Sequence, residues 1–214
     1  MVERAGVSKK RYFLAFLLAT GIFSIGLLLG ITLTSAKLSE VEKLQIEFRN
    51  RLTNLEMEDL LTEGKICQFS DVDNLVDELS KIGETLTSIE NDPSTNHDDI
   101  LALKEYYSLL EIRHMIYMQK FNEQCGKKLD IVLYFYSNDE EKCIDCSSQG
   151  YILSYIRNKY SNVRIYSYDI DIDNPAIRTL MKLNNVTAAP SLIINDEFYS
   201  GYQDKKLIEE KISS

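Results

Sequence analysis

Residues 130–146 read DIVLYFYSNDEEKCIDC, and the fold turns on how that stretch is taken. Ile131-Val132-Leu133-Tyr134-Phe135-Tyr136 is an unbroken apolar and aromatic run, the composition of a strand buried on both faces. Ser137 to Lys142 is a polar, acidic loop, and it delivers the chain to Cys143-Ile144-Asp145-Cys146. Beyond the motif, short strand and helix patterns alternate. A helix runs from the motif roughly to Tyr160, with Tyr151, Ile152, Tyr155 and Ile156 as its apolar face. A strand follows over Val163 to Tyr168, and Asn174-Pro175 opens a second helix, proline at its preferred first position, with Ile177, Leu180 and Leu183 facing inward. Ser191 to Ile194 is a third strand, Asn195-Asp196 a turn, Glu197 to Ser200 a fourth strand. Asp204 caps a last helix holding Leu207, Ile208 and Ile212. The expected order is βαβαββα, an α/β domain over residues 127–214.

These features together resemble a thioredoxin or glutaredoxin domain. The resemblance is carried by the strand leading into Cys143-Ile144-Asp145-Cys146, by Tyr168-Asp169-Ile170-Asp171 followed by Asn174-Pro175, and by Val186-Thr187-Ala188-Ala189-Pro190-Ser191. It implies that Pro190 is a cis-proline facing the cysteine pair and that Ala189 offers backbone hydrogen bonds to an extended substrate. It also implies a redox-active dithiol rather than a bound cofactor, so no cofactor is expected. The chain departs from the family pattern at several places. Ile144-Asp145 stands between the cysteines instead of Gly-Pro, and Tyr134 stands where many thioredoxins bury an aspartate. Tyr136 replaces the usual tryptophan, and the loop to Cys143 is longer.

Two cysteines separated by two residues at a helix start can close a small disulfide ring. A thiolate at Cys143 would be favoured by the helix dipole and unpaired amides, and thiolate is the attacking species. Cys143 is therefore the expected nucleophile and Cys146 the resolving residue. Lys142 should lower the Cys143 pKa, whereas Asp139, Glu140, Glu141 and Asp145 act in the opposite sense.

Upstream, three segments show helical spacing. Leu38, Val41, Leu44, Phe48, Leu52 and Leu55 form one seam, with Gly64 as a stop. Val72, Leu75, Leu79, Ile82, Leu86 and Ile89 form the second, beginning near a capping Ser70 and ending at Asn91-Asp92-Pro93-Ser94. Ile100, Leu103, Tyr107, Leu110, His114, Tyr117 and Phe121 form the third. Each seam needs a partner, either another helix or a second copy of the chain, which makes residues 37–126 a helical stalk or hairpin with a surface for homo-oligomers. His114 lies inside its seam and reads as a hydrogen-bonded core residue. The short connection between the second and third segments predicts an antiparallel hairpin, which brings Cys67 and Cys125 to its open end. They are the expected structural disulfide; two free thiols are the alternative, since spacing alone does not set their Cα separation.

From Tyr12 to Ala36 no residue is charged, long enough for a transmembrane helix that needs about 20 apolar residues. A cleavable signal with a Thr34-Ser35-Ala36 end is the other reading, disfavoured because such cores run to about 7–15 residues. Lys9, Lys10 and Arg11 abut the run, so residues 1–11 are expected to be a cytoplasmic basic tail, residues 12–36 a single membrane span, and the C-terminal domain extracytoplasmic. A net charge of −9 argues against nucleic acid as a partner. No metal site is expected. Asp169-Ile170-Asp171-Ile172-Asp173 has Asn174 and Leu180 where a calcium loop needs Gly and Glu, and reads as a solvated strand end. A zinc site on Cys143 and Cys146 needs two more ligands, which Cys67 and Cys125 supply only if the hairpin folds over the motif. The function that follows is a membrane-tethered thiol-disulfide oxidoreductase acting on cysteines of extracytoplasmic proteins. The rival is a redox-idle thioredoxin-like binding module whose helices recruit a partner.

Overall fold

The computed structural model describes residues 9–61, 65–69, 72–90, 97–126 and 128–212. Gly64, Ser70 and Asn91-Asp92-Pro93-Ser94, read above as a helix stop, a cap and a break, lie outside the described residues, as do the side chains of Leu38, Val41, Leu55, Val72 and Leu75. The chain divides into two compact units, Met1–Leu44 and Gln45–Ser214.

In the first unit, a helix (α1, Lys9–Leu61 in all) carries the uncharged run. Its stretch Lys9–Thr32 is long and apolar enough to cross a membrane, and a signal sequence would pass the same test. Every side chain in that stretch is exposed, Phe16, Ile22 and Phe23 included. The hydroxyls of Thr20 and Ser24 donate to the carbonyls of Phe16 and Thr20 within the helix, which removes unpaired donors from an apolar surface.

The second unit is built on a four-stranded mixed sheet. Its strands are β1 (Asp130–Tyr136), β2 (Val163–Asp169), β3 (Ser191–Ile194) and β4 (Glu197–Ser200), in the order β2-β1-β3-β4. β1 pairs parallel with β2 and antiparallel with β3, and β3 pairs antiparallel with β4. The turn between β3 and β4 is Asn195-Asp196, both with positive φ (47° and 68°), residues that tolerate the left-handed region a two-residue hairpin demands. Helices α5 (Cys146–Lys159), α6 (Pro175–Leu183) and α7 (Lys205–Ile212) intervene between strands or follow them. Asn174 caps α6 through the Ala176 N–H at 2.8 Å, ahead of Pro175, and the Asp204 carboxylate accepts the Leu207 N–H at 2.9 Å at the start of α7.

β1 is buried on both sides because its alternating side chains meet different helices. Val132 and Tyr134 join Leu153 and Ile156 of α5 and Ile208 and Ile212 of α7. Leu133 and Phe135 join Tyr166 and Tyr168 of β2, Leu180 of α6, and Met115, Tyr117, Met118 and Phe121 of a long helix, α4 (His97–Cys125). The upstream helices are α2 (Ile66–Phe69), α3 (Val72–Glu90) and α4. α3 and α4 run antiparallel: Glu90 meets Lys104, Gly83 faces Tyr107, and Cys67 meets Cys125. At Gly83 a Cβ would stand 2.7 Å from the Tyr107 hydroxyl, so a larger residue there would displace that side chain.

Three details differ from the sequence expectations. α4 does not bury one seam; Lys104, Ser108, Glu111 and Met115 are buried as well, because the helix packs on α3 with one side and on the sheet with the other. On α5 the buried stripe is Cys146, Gln149, Leu153 and Ile156, and Tyr151 is 78% exposed. On α6 Leu183 is 75% exposed, and Val186, past the helix end, fills the place against the core.

Candidate active site

β1 ends at Tyr136, the loop 137–142 folds back on itself, and the two cysteines follow. The N–H groups of Lys142 and Cys143 both donate to the Asp139 carbonyl at 3.0 Å, closing a tight turn immediately before the motif. Cys143 and Cys146 are joined in a disulfide with Cα atoms 5.5 Å apart, the separation a three-residue step allows. α5 begins at Cys146, not at Cys143, with Asp145 at the cap position making no side-chain capping bond. Both cysteines are 6% exposed, whereas Ile144 between them is 86% exposed. A reactant must therefore be fitted against the pair rather than meet a projecting sulfur.

The Cys146 sulfur accepts the Ser137 N–H at 3.4 Å, a contact that would favour negative charge on that sulfur once the disulfide opens. Tyr134, standing where an aspartate was the family expectation, donates its hydroxyl to the Cys146 carbonyl at 2.6 Å. Burial pushes the Tyr134 phenol above its ordinary range, so it fixes the backbone of the resolving cysteine and is not a base. Tyr136 stacks on it with ring centroids 5.5 Å apart.

Lys142 was expected to act on Cys143 directly. Its ammonium is instead bound to the Asp171 carboxylate, with Asp139 also near, and these partners raise its pKa. Asp171 is held below the usual carboxylate range by the Lys142 and Ser137 hydrogen bonds. The aspartate triplet read as a solvated strand end is likewise engaged: Asp169 is buried and binds Lys104, Asp171 binds Lys142 and Ser137, and Asp173 binds Arg178.

The Ala189–Pro190 peptide is cis. Because Ser191 pairs with Phe135 across β1 and β3, Pro190 lies level with Tyr136, at the end of the sheet from which β1 leads toward Cys143. The Pro190 carbonyl accepts the Gly201 N–H at 2.8 Å, anchoring this segment to the end of β4. Cys67 and Cys125 are bonded to each other, separate from the Cys143–Cys146 pair.

Glu111 has no signal in the sequence reading, whereas His114 is the hydrogen-bonded core residue that its seam predicts. A cavity of about 520 Å³ lies between α3, α4, α5 and β2, and Glu111 and His114 are among its lining residues. Glu111 accepts the Ser167 N–H at 3.2 Å and a hydrogen bond from Tyr107, yet burial dominates and lifts its pKa to about 8. His114 is a core residue bonded to the Tyr166 hydroxyl at 2.9 Å, and burial, followed by Arg164, lowers its pKa to about 4. The two act on stability with opposite signs. Below the unfolded value of 6.5, His114 resists protonation in the fold, so its contribution is lost as pH falls toward 4. Glu111 stays protonated in the fold while the unfolded chain ionises above 4.5, so stability drains as pH rises from 4.5 toward 8. Between pH 6.5 and 8 Glu111 acts without opposition from His114. Glu111→Gln should flatten the fall in denaturant midpoint across that window; an unchanged slope would show that the carboxyl ionises freely.

No family model and no curated protein matches the chain. Among solved structures, the oxidised form of thioredoxin O2 from Arabidopsis thaliana is similar at 20% identity, over 46% of this chain and 86% of that one, with a TM-score of 0.34. Those values leave activity and partners to the chain's own geometry. A mixed four-stranded sheet flanked by helices, with a vicinal Cys-X-X-Cys disulfide between β1 and α5, is consistent with a thioredoxin-like core carrying extra helical segments.

Proposed function

We propose that this protein is a membrane-tethered thiol-disulfide oxidoreductase that acts on cysteines of extracytoplasmic proteins. The observation that carries the reading is the Cys143–Cys146 disulfide held between β1 and α5, with an amide donor already on the Cys146 sulfur. In the reducing direction, the Cys143 thiolate attacks one sulfur of a client disulfide. A Cys143–client bond forms, the client bond breaks, and the departing thiolate takes up a proton. Cys146 loses its proton and attacks the Cys143 sulfur, releasing the second client thiol; the client gains two electrons and the pair returns to the disulfide. The oxidising direction is the same sequence reversed. Ala189 and Pro190 would receive the client backbone beside the pair.

Residues 12–36 would serve as the anchor, 37–126 as a helical segment, and 127–214 as the redox domain. The basic cluster at Lys9, Lys10 and Arg11 supports a cytoplasmic N-terminus, and a Cys67–Cys125 bond agrees with an oxidising compartment. Burial of much of α4 within the protein's own fold favours this reading over a helical partner-recruiting module. Two measurements test it. The full chain in detergent should exchange disulfides with glutathione and lose that exchange in Cys143→Ser. In membranes, it should resist alkaline extraction and be digested by protease added from the extracytoplasmic side. A chain released by carbonate would remove the anchor from the proposal, and wild-type exchange in Cys143→Ser would remove the enzyme.

A further inference from the structure

An unbroken series of polar contacts connects the helical hairpin to the redox loop. Lys104 of α4, 8% exposed, places its ammonium 2.7 Å from one Asp169 oxygen and 3.1 Å from Glu90 of α3. Asp169 ends β2, and the same carboxylate accepts the Asn138 amide at 3.0 Å and the Asp171 N–H at 3.0 Å. Asp171 in turn takes the Ser137 hydroxyl and the Lys142 ammonium. Ser137 is the residue whose N–H reaches the Cys146 sulfur. Both ends of the 137–142 loop are thus fastened, through Asp171 and Asn138, to a carboxylate that Lys104 neutralises.

We propose that Lys104 is a positioning residue for the Cys143/Cys146 pair: through Asp169 it holds the loop that presents the Ser137 amide, and so raises the pair's reduction potential. The inference rests on the pair being a redox centre. The direction follows from charge. The disulfide is neutral, whereas the reduced pair carries thiolate character that an amide donor stabilises and a nearby unneutralised carboxylate opposes. Without the Lys104 charge, the Glu90, Asp169 and Asp171 carboxylates stand together, with the Lys142 ammonium on Asp171 as the cation on the side of the motif. Loosening of the loop also withdraws the Ser137 N–H. Both effects disfavour the reduced form.

The test is the potential of the full chain in detergent micelles, equilibrated in glutathione buffers, with the Cys143/Cys146 pair read by alkylation and peptide mass so that Cys67 and Cys125 are counted apart. Lys104→Met should shift the exchange equilibrium about tenfold toward the disulfide, a move of about 30 mV to more negative potential. Lys104→Arg, which keeps the charge, should stay close to wild type, and adding Asp169→Asn to Lys104→Met should recover much of the shift. Lys104→Gln supplies the same measurement if the methionine variant does not fold. An unchanged potential in a folded Met or Gln variant overturns the proposal, and so does a shift that Asp169→Asn leaves untouched. A wild-type pair that never exchanges with glutathione would sink the oxidoreductase reading, and this inference with it.

Discussion

Cys146→Ser should turn a transient encounter into a stable one. With Cys143 intact and its resolving partner gone, attack on a client disulfide proceeds but release does not, and mixed disulfides accumulate. The serine is nearly isosteric with the cysteine it replaces, and Tyr134 still holds the residue's carbonyl at 2.6 Å, so the fold around the site should persist. In membranes from cells expressing the variant, non-reducing gels should show client adducts that vanish on reduction and are missing in Cys143→Ser/Cys146→Ser. Steady-state exchange should fall by orders of magnitude, since the second half-reaction has lost its nucleophile. Adducts of equal amount in the double variant would mean that the linkage is made through Cys67 or Cys125, and the assignment of Cys143 as nucleophile would fall.

Cys67→Ser carries the largest expected effect on stability. The Cys67–Cys125 bond closes a loop of 58 residues, from α2 across the whole of α3 to the end of α4. On the chain-entropy estimate, releasing a loop of that length costs about 4 kcal/mol. Cys67 is exposed and Cys125 half-buried, so little packing is lost and the effect falls mainly on the unfolded chain. A drop of roughly 10 °C in the unfolding midpoint is expected for a unit of this size. Circular dichroism of the full chain in detergent, without reductant, reads it directly. A midpoint matching wild type would mean that the hairpin holds its register without the staple.

The sheet was the most legible part of the chain. β3 and β4 announced themselves through short apolar runs flanking Asn195-Asp196, and β1 through a run that no amphipathic helix would carry. The cysteine pair and Pro190 could be placed because they sit at fixed steps from those strands. Helix faces were less legible. Tyr151 and Tyr155 are the apolar candidates by spacing, yet the stripe that packs contains Gln149, whose side-chain oxygen accepts the Gln203 N–H at 2.7 Å. A buried polar residue with a partner 54 positions away leaves no trace in local periodicity. The same holds for Lys104 and Asp169, which are 65 positions apart and oppositely charged, and which each read as surface residues on their own. Lys142 shows the converse: its neighbour in sequence is Cys143, whereas its ammonium is bound by Asp171, beyond the end of β2.

The carboxyl of Glu111 on the Ser167 amide has a bearing on how this protein meets other chains. A terminal strand with bare amides is a template for intermolecular β-pairing, and proteins avoid aggregating through it by covering or charging it. Here β2 is terminal, and Glu111 occupies its Ser167 amide, so a pairing chain finds that donor already engaged. On the opposite border, β4, Glu197 and Lys211 form an ion pair at 2.8 Å beside an exposed Phe198, charge of the kind that guards an edge against pairing.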